Sequence, residues 1–547
     1  MKIALAQINP VVGDLRGNVC RVADGMAAAR AAGAAVVVFP ELSLCGYPPR
    51  DLLRRAEFVR DCEAAVEQLA GQCEGIAAVV GFVRANSSPQ GRPLQNCAAF
   101  LAGGRVRHVH VKSLLPTYDV FDERRYFEPG GQASRMELDG LSLGLSVCED
   151  LWDRQALGRE LYNDDPVAEL MRLGVGAIVN IAASPYEMGK ATVKESLLSR
   201  QAARAAVPIL YVNQVGGNDE LIFDGGSCVV AGDGTVIARA KPFEEDLLIV
   251  DLDRPADNRV EPREDELPRL SRALKLGLRD YVHKCGFRRA VLGVSGGIDS
   301  AVVAALAVDA LGPRNVLGLA MPSRYSSDHS VADAQLLCRN LGMEFQLVPI
   351  EGPHRAFEEL LPPVLAGGNT AIADENIQAR IRGNLVMAAS NANGLLALAT
   401  GNKSELAVGY CTLYGDMCGG LAVIGDVYKS TVFPLARQLN AEAGFDRIPE
   451  HTIVKPPSAE LKPNQFDQDS LPPYDVLDAI LERYVERDES ANEIIRAGFD
   501  APTVARVLTL VDRGEFKRKQ AAPALKVTPR AFGAGRRMPI AMRSTIV

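Results

Sequence analysis

Ala290-Val-Leu-Gly-Val-Ser-Gly-Gly-Ile-Asp-Ser300 sets an apolar run, a turn of small residues and a helix start in direct succession. The run predicts a buried strand over Arg289–Val294, and Ser300–Leu311 reads as the helix that follows. Asn315–Ala320 is the next strand, so a βαβ unit opens this part of the chain. The turn carries chemistry as well as shape. Ser295, Gly296 and Gly297 let backbone N–H groups approach phosphate oxygens, and the helix points its positive end at the same group. The stretch lacks the lysine of G-x-x-x-x-G-K-[ST], so it is not a Walker loop. Asp299 is a candidate Mg²⁺ ligand.

Upstream lies a helix, Arg269–Cys285. Before it, Lys241–Leu267 is charged, proline-punctuated and without periodicity after one strand-like stretch. We therefore expect a first domain over 1–255, a linker over 256–268 and a second domain over 269–547. A chain of 547 residues is too long for one core. Its 47% apolar and 23% charged residues exclude a mainly disordered or fibrous protein. A net charge of −8 leaves no basic excess for phosphate backbones, which argues against a generic nucleic-acid binder. No apolar run approaches the ~18–20 residues of a membrane span. The opening MKIALAQINPVVGD reaches Asn9, Pro10 and Gly13 too early for a signal peptide, so a cytoplasmic location is expected. Eleven cysteines without a C-x-x-C pair, and six scattered histidines, offer neither a disulfide framework nor a zinc site.

The first half reads as short buried strands alternating with Ala-rich helices. The strands are Ile3–Ile8, Ala35–Phe39, Ile76–Val83, Cys97–Leu101, Leu141–Val147, Ala177–Ala182 and Ile209–Asn213, with a helix over Val22–Ala32. This is an α/β layered pattern. Three residues follow such strands. Glu41, taken alone, reads as a solvated strand-end charge, and Lys112 as a surface lysine. Cys148 continues the small face Ser142, Gly144, Ser146 of its strand rather than the face of Leu141, Leu143, Leu145 and Val147. Together they supply the roles that acyl transfer from an amide needs. A carboxylate can take the thiol proton, a thiolate can attack, and a lysine can stabilise the oxyanion.

VVVFPELSLCGYPPRD, HVHVKSLLPTYDVFDERRYFEPG and LGLSVCEDLWD resemble the three signature blocks of the nitrilase superfamily of carbon–nitrogen hydrolases, over roughly residues 1–250. The resemblance implies an αββα sandwich with Glu41 as base, Lys112 as oxyanion stabiliser and Cys148 as nucleophile. It implies a second active-site glutamate at Glu123, with Tyr118 in the substrate pocket. It also implies a glutamine-holding segment from Ser184 to Lys190, where arginine would fit the pattern equally.

SGGIDS resembles the pyrophosphate loop of the ATP pyrophosphatases, which activate a carbonyl oxygen as an adenylate. DENIQARIRGNL (374–385) reads as a helix whose arginines 380 and 382, taken alone, form a solvated face. Leu395–Thr400 is a buried strand leading into Gly401-Asn-Lys-Ser-Glu405. With YGDMCGGLAVIGDVYKS (414–430), PPSAELKPNQFDQDSLPPYDVLD (456–478) and EFKRKQAAPALKV (515–527), these blocks resemble the synthetase domain of the glutamine-dependent NAD⁺ synthetase family. That resemblance implies a doubly wound parallel sheet, with ATP contacts at Gly293, Val294, Ser295, Gly296, Gly297, Ile298, Asp299, Ser300 and Thr400. It places deamido-NAD⁺ at Asn376, Glu405 and Lys517, and Mg²⁺ at Asp299 and Glu405. The implied reaction is amidation of deamido-NAD⁺ to NAD⁺ with ATP and L-glutamine, releasing AMP, diphosphate and glutamate, with no nucleic acid or membrane partner. A shielded passage for ammonia is expected, and the resemblance implies a homo-oligomer, with an octamer among the forms it admits. Two rivals are weighed: an ATP-pyrophosphatase amidotransferase with another acceptor, against which the 374–405 and 515–527 blocks argue, and a metabolite-binding scaffold with a dead hydrolase domain, against which the intact Glu41, Lys112 and Cys148 set argues.

Overall fold

Alternation along Lys2–Gln7 decides the layering of the first half. Ile3 and Leu5 point into a core shared with Leu143, Leu145, Val147 and Val179. Ala4 and Ala6 point the other way, against Val22 and Met26 of helix Leu15–Ala31 and Val66 and Leu69 of helix Ala56–Ala70. Apolar residues on both faces mean a strand covered on both sides. The computed structural model describes residues 1–365 and 368–543. It divides into two units, Met1–Glu264 and Asp265–Val547.

The first unit holds two six-stranded sheets face to face. One runs in the order Asp246–Asp251, Lys2–Gln7, Val36–Val38, Ala77–Ala85, Leu94–Ala102, Arg105–Val111. The other runs Val236–Arg239, Cys228–Val230, Ile209–Asn213, Ala177–Ala182, Leu141–Val147, Ser134–Leu138. The outer face of the second sheet is built for close helix packing. A Cβ on Gly144 would come within 2.9 Å of Leu170, on helix Pro166–Arg172. The result is an αββα sandwich. The first helix begins at Leu15 rather than Val22, because the Asp14 carboxylate caps it by accepting from Gly17 N at 2.9 Å.

The second unit has five parallel strands, in the order Glu344–Leu347, Val316–Ala320, Ala290–Gly293, Leu396–Ala399, Leu421–Ala422. The chain starts in the middle, winds outward to one edge and returns to the other side of Ala290–Gly293. The point where the winding reverses, beside the carboxyl ends of Ala290–Gly293 and Leu396–Ala399, is where such sheets open a crevice. Helix Ile298–Leu311 is buried along most of its length, and Ile381 and Val386 of helix Thr370–Asn393 share a core with Val291, Leu317 and Ala397. A further cluster joins Leu477, Val504, Val507 and Leu508 to Ala407 and Val408, packing the C-terminal helices onto the helix that carries Glu405. Among the described residues, no helix is long and apolar enough to cross a membrane.

Candidate active sites

The strand ends of the first unit bring Glu41, Lys112, Glu123 and Cys148 together. Glu41 and Lys112 are fully buried, so neither is the solvated charge that its neighbours in sequence suggest. Lys112 Nζ donates to Glu41 Oε1 at 2.8 Å and to Glu123 Oε1 at 2.9 Å. Two of its three N–H donors are thus committed, and the third is left for an oxyanion. Tyr47 OH also donates to Glu123 Oε1, at 2.8 Å. Burial opposes the charge on Lys112, but Glu123 and Glu41 hold its pKa well above the ordinary value. Glu123 is pushed up to about 7 by burial, against the pull of Lys112 and with the push of Glu41.

Cys148 does not lie on the small face of its strand. The strand ends at Val147, and Cys148 takes a left-handed backbone (φ 46°) at the head of a tight turn, Cys148–Leu151. That turn breaks the alternation and redirects the thiol. Asp150 secures it by accepting from Val147 N at 2.9 Å, Ser113 N at 3.0 Å and Leu114 N at 2.8 Å. One carboxylate thereby ties the cysteine turn to the backbone after Lys112. Burial, then Glu41, pushes the thiol well above its usual range, and Lys112 only partly offsets them. The resting cysteine is a thiol, so a nucleophilic role for it would need a base to take its proton.

Tyr118 and Tyr162 both donate to Glu149 Oε1, at 2.8 and 2.9 Å. Ser184 is buried, with its N–H donating to Asn213 Oδ1 at 2.8 Å. Lys190 lies over the Trp152 ring, 5.9 Å from its centroid, and 4.0 Å from Glu187. Glu149, Tyr162 and Asn96, which donates to Glu41 Oε1, are absent from the sequence reading. Glu149 sits beside the cysteine in sequence, but nothing there marks its burial.

In the second unit a cavity of about 300 Å³ opens at the crevice. Gly293, Val294, Ser295, Gly297, Ile298, Asp299, Ser300, Thr400 and Glu405 line it. Gly296 shapes the loop from behind: its φ is +78°, and a Cβ there would lie 2.3 Å from the Ser330 carbonyl oxygen. Asn402 Nδ2 donates to Asp299 Oδ1 at 3.0 Å, and Lys429 pairs with Asp299 and, at 3.7 Å, with Glu405. Burial and Asp299 raise Glu405 to about 8 despite Lys429. Burial raises Asp416 to about 6.

One expectation is corrected. Arg382 is no solvated residue; it lines the cavity, donates to Met321 O at 2.9 Å and is lowered to about 10 by burial. Asn376 and Lys517 do not line the cavity. Asn376 Oδ1 accepts from Thr412 at 2.7 Å, and Lys517 Nζ donates to the Gly409 and Cys411 carbonyls at 2.7 Å each, so both brace the 409–412 loop. Lys429 is the residue whose importance went unread, since a single lysine in a Gly-rich loop carries no sign of burial. The cavity wall fits a hard cation. Asp299, Glu405 and Asp467 all line it and offer oxygen donors, the ligand type such a cation takes.

Residues 2–257 match the carbon-nitrogen hydrolase family and residues 270–521 the NAD synthase family. Fold and sites together therefore define a ligase with an amidase joined to a nucleotide-dependent synthetase. The chain is 50% identical to a glutamine-dependent NAD(+) synthetase of Synechocystis sp. over 98% of each chain. It is 42% identical to one of Thermotoga maritima over 99% of each. A solved glutamine-dependent NAD⁺ synthetase of Acinetobacter baumannii, in complex with adenosine diphosphate, is 40% identical over 98% of both chains, with a TM-score of 0.79. The chain belongs to the glutamine-dependent NAD⁺ synthetase family.

Proposed function

We propose that the chain makes NAD⁺ by amidating deamido-NAD⁺ with ammonia from L-glutamine, at two chemical sites. The observation that carries this is the pairing on one chain of the buried Glu41–Lys112–Cys148 set with the Asp299–Glu405–Lys429 cavity.

In the first unit Cys148 Sγ attacks the glutamine carboxamide carbon as its proton passes to Glu41. The free N–H of Lys112 stabilises the oxyanion, a contribution of about 2.7–4 kcal/mol for one such donor. Glu41 returns the proton to the departing nitrogen, so ammonia leaves and a thioester remains. Water activated by Glu41 then releases glutamate and restores the thiol. Tyr118, Glu149 and Ser184 lie around the cysteine as candidates to hold glutamine, with Lys190 at the rim.

In the second unit the nicotinate carboxylate oxygen attacks the α-phosphorus of ATP and diphosphate leaves. Ammonia adds to the acyl adenylate, AMP departs, and one proton is lost to solvent. The loop Gly293–Ser300 and Thr400 hold the triphosphate, and Lys429 and Arg382 counter its charge. Asp299 and Glu405, with Asp467 nearby, would hold Mg²⁺, which when bound neutralises charge on the departing diphosphate. Asn376, Glu405 and Lys517 would contact deamido-NAD⁺, Asn376 and Lys517 beside the 409–412 loop that they brace. A cytoplasmic homo-oligomer completes the reading; light scattering reports its size.

The decisive experiment is mass spectrometry of products from glutamine, MgATP and deamido-NAD⁺. NAD⁺, AMP, diphosphate and glutamate are expected in equal amounts. A different amidated acceptor in a substrate screen would assign the chain to another ATP-pyrophosphatase amidotransferase.

A further inference from the structure

We infer that Asn96 is a positioning residue for amide cleavage, and that it fixes Glu41 Oε2 as the oxygen that receives the Cys148 proton. The inference rests on the role of Glu41 as base proposed above. A carboxylate offers about four lone-pair positions, two on each oxygen. Oε1 of Glu41 takes Lys112 Nζ at 2.8 Å and Asn96 Nδ2 at 2.7 Å, which fills both of its positions. Oε2 takes Ala183 N at 3.0 Å, which fills one of two. The open position for a thiol proton is therefore on Oε2, and it stays there as long as Asn96 holds Oε1.

The same residue also sets the lysine. Lys112 N donates to the Asn96 carbonyl at 2.9 Å, continuing the ladder in which Cys97 pairs with Val111. One position on strand Leu94–Ala102 thus fixes the base through its side chain and the oxyanion donor through its backbone. The arrangement has a cost that argues against a purely structural role. Asn96 is fully buried and its Oδ1 has no hydrogen-bond partner. An apolar side chain of similar size would avoid that penalty, so polarity at this position serves Glu41 rather than the fold.

Asn96→Leu in the full-length chain separates the two roles. Its thermal midpoint should stay close to that of wild type, because removing the unpartnered oxygen offsets the lost hydrogen bond to Glu41. Glutaminase kcat should fall about tenfold or more, the scale of one hydrogen bond to a charged group. KM for glutamine should stay near wild type. Alkylation of Cys148 by iodoacetamide, followed on its peptide by mass spectrometry, should slow in parallel. If Asn96→Leu fails to fold, Asn96→Ser, whose hydroxyl falls short of Glu41, takes the same measurements. A folded variant of either kind with wild-type kcat and alkylation rate overturns the inference. Glu41→Gln is measured beside them and should be inactive. An active Glu41→Gln overturns Glu41 as base, and the inference with it; an inactive Glu41→Gln beside a wild-type-like Asn96→Leu overturns the inference alone.

Discussion

Replacing Lys112 with methionine tests the electrostatics of the amidase site most directly. Lys112 is the cation that Glu41 and Glu123 share, and both carboxylates are buried with it. Methionine preserves much of the stem and removes the charge. The chemical effect should be the loss of an oxyanion donor, about 10²–10³ in glutaminase turnover. The stability effect follows from leaving two buried carboxylates without their partner, typically about 3–5 kcal/mol. Part of that loss is recoverable by protonation, and this gives the test its sign. Glu123 already sits at about 7, raised from 4.5 chiefly by burial and held down by Lys112. A carboxyl raised in the folded state stabilises the fold when protonated; the contribution is complete below 4.5 and is lost as pH rises through the folded pKa. Without Lys112 the folded pKa climbs further, so the lost-stability window extends above 7. The gap in thermal midpoint between wild type and Lys112→Met should therefore be narrow at pH 5 and wider at pH 8.5. Glutamate release at saturating glutamine gives the rate. A rate within a few-fold of wild type, with the same midpoint gap at both pH values, would refute the shared-cation account.

The remaining predictions address each site. Cys148→Ala should abolish NAD⁺ formation from glutamine and leave formation from ammonium at pH 8.5 largely intact; equal failure with both, at unchanged circular dichroism, contradicts two chemical sites. Asp299→Asn should stop diphosphate release while Cys148 still forms its thioester, because Asp299 lines the cavity and pairs with Lys429; diphosphate release at the wild-type rate removes it from the reaction. Glu405, raised from 4.5 to about 8 by burial and Asp299, contributes stability that is full below 4.5 and lost as pH rises through about 8. MgCl₂ should therefore raise the thermal midpoint more at pH 8.5 than at pH 6.5, and equal shifts speak against a cation at Glu405.

What the sequence made legible was whatever hydrophobic pattern dictates. Leu141–Val147, Ala177–Ala182 and Ile209–Asn213 are strands over those same residues, the first through period-two alternation of leucine with small residues and the other two through short, mainly apolar runs covered on both faces. What it concealed was burial of charge. Lys112 follows a strand whose residues Arg105 and Arg107 face outward, so its neighbours advertise solvent while its own side chain is enclosed. Arg380 and Arg382 are two apart on one helix and therefore do not share a face. The first is exposed and the second lines the cavity, a difference that helical geometry contains but charge counting does not. Alternation also ran one residue too far at Cys148, since a strand pattern cannot announce the left-handed turn that ends it. Asn376 and Lys517 stand out only through the family resemblance, since no hydrophobic pattern marks a polar side chain that hydrogen-bonds to a loop.

Both sites are built on the same electrostatic device. In each, a lysine at most 2% exposed lies between two carboxylates: Lys112 with Glu41 and Glu123, Lys429 with Asp299 and Glu405. One positive charge faces two negative ones in each cluster, and burial, with the neighbouring carboxylate adding to it, raises Glu123 to about 7 and Glu405 to about 8. Such a cluster binds one more positive charge readily and gives it up at modest cost, since the raised pKa lies close to neutral pH. In the amidase unit, on the reading proposed above, the extra charge would be the proton that Glu41 takes from the Cys148 thiol and returns to nitrogen within one turnover. In the synthetase unit, on the reading proposed above, Asp299 and Glu405 would hold a divalent cation whose charge counters that of the triphosphate. A cluster already neutralised by a second lysine or arginine would hold neither, so the place of the missing cation is left to the reaction's own positive charge.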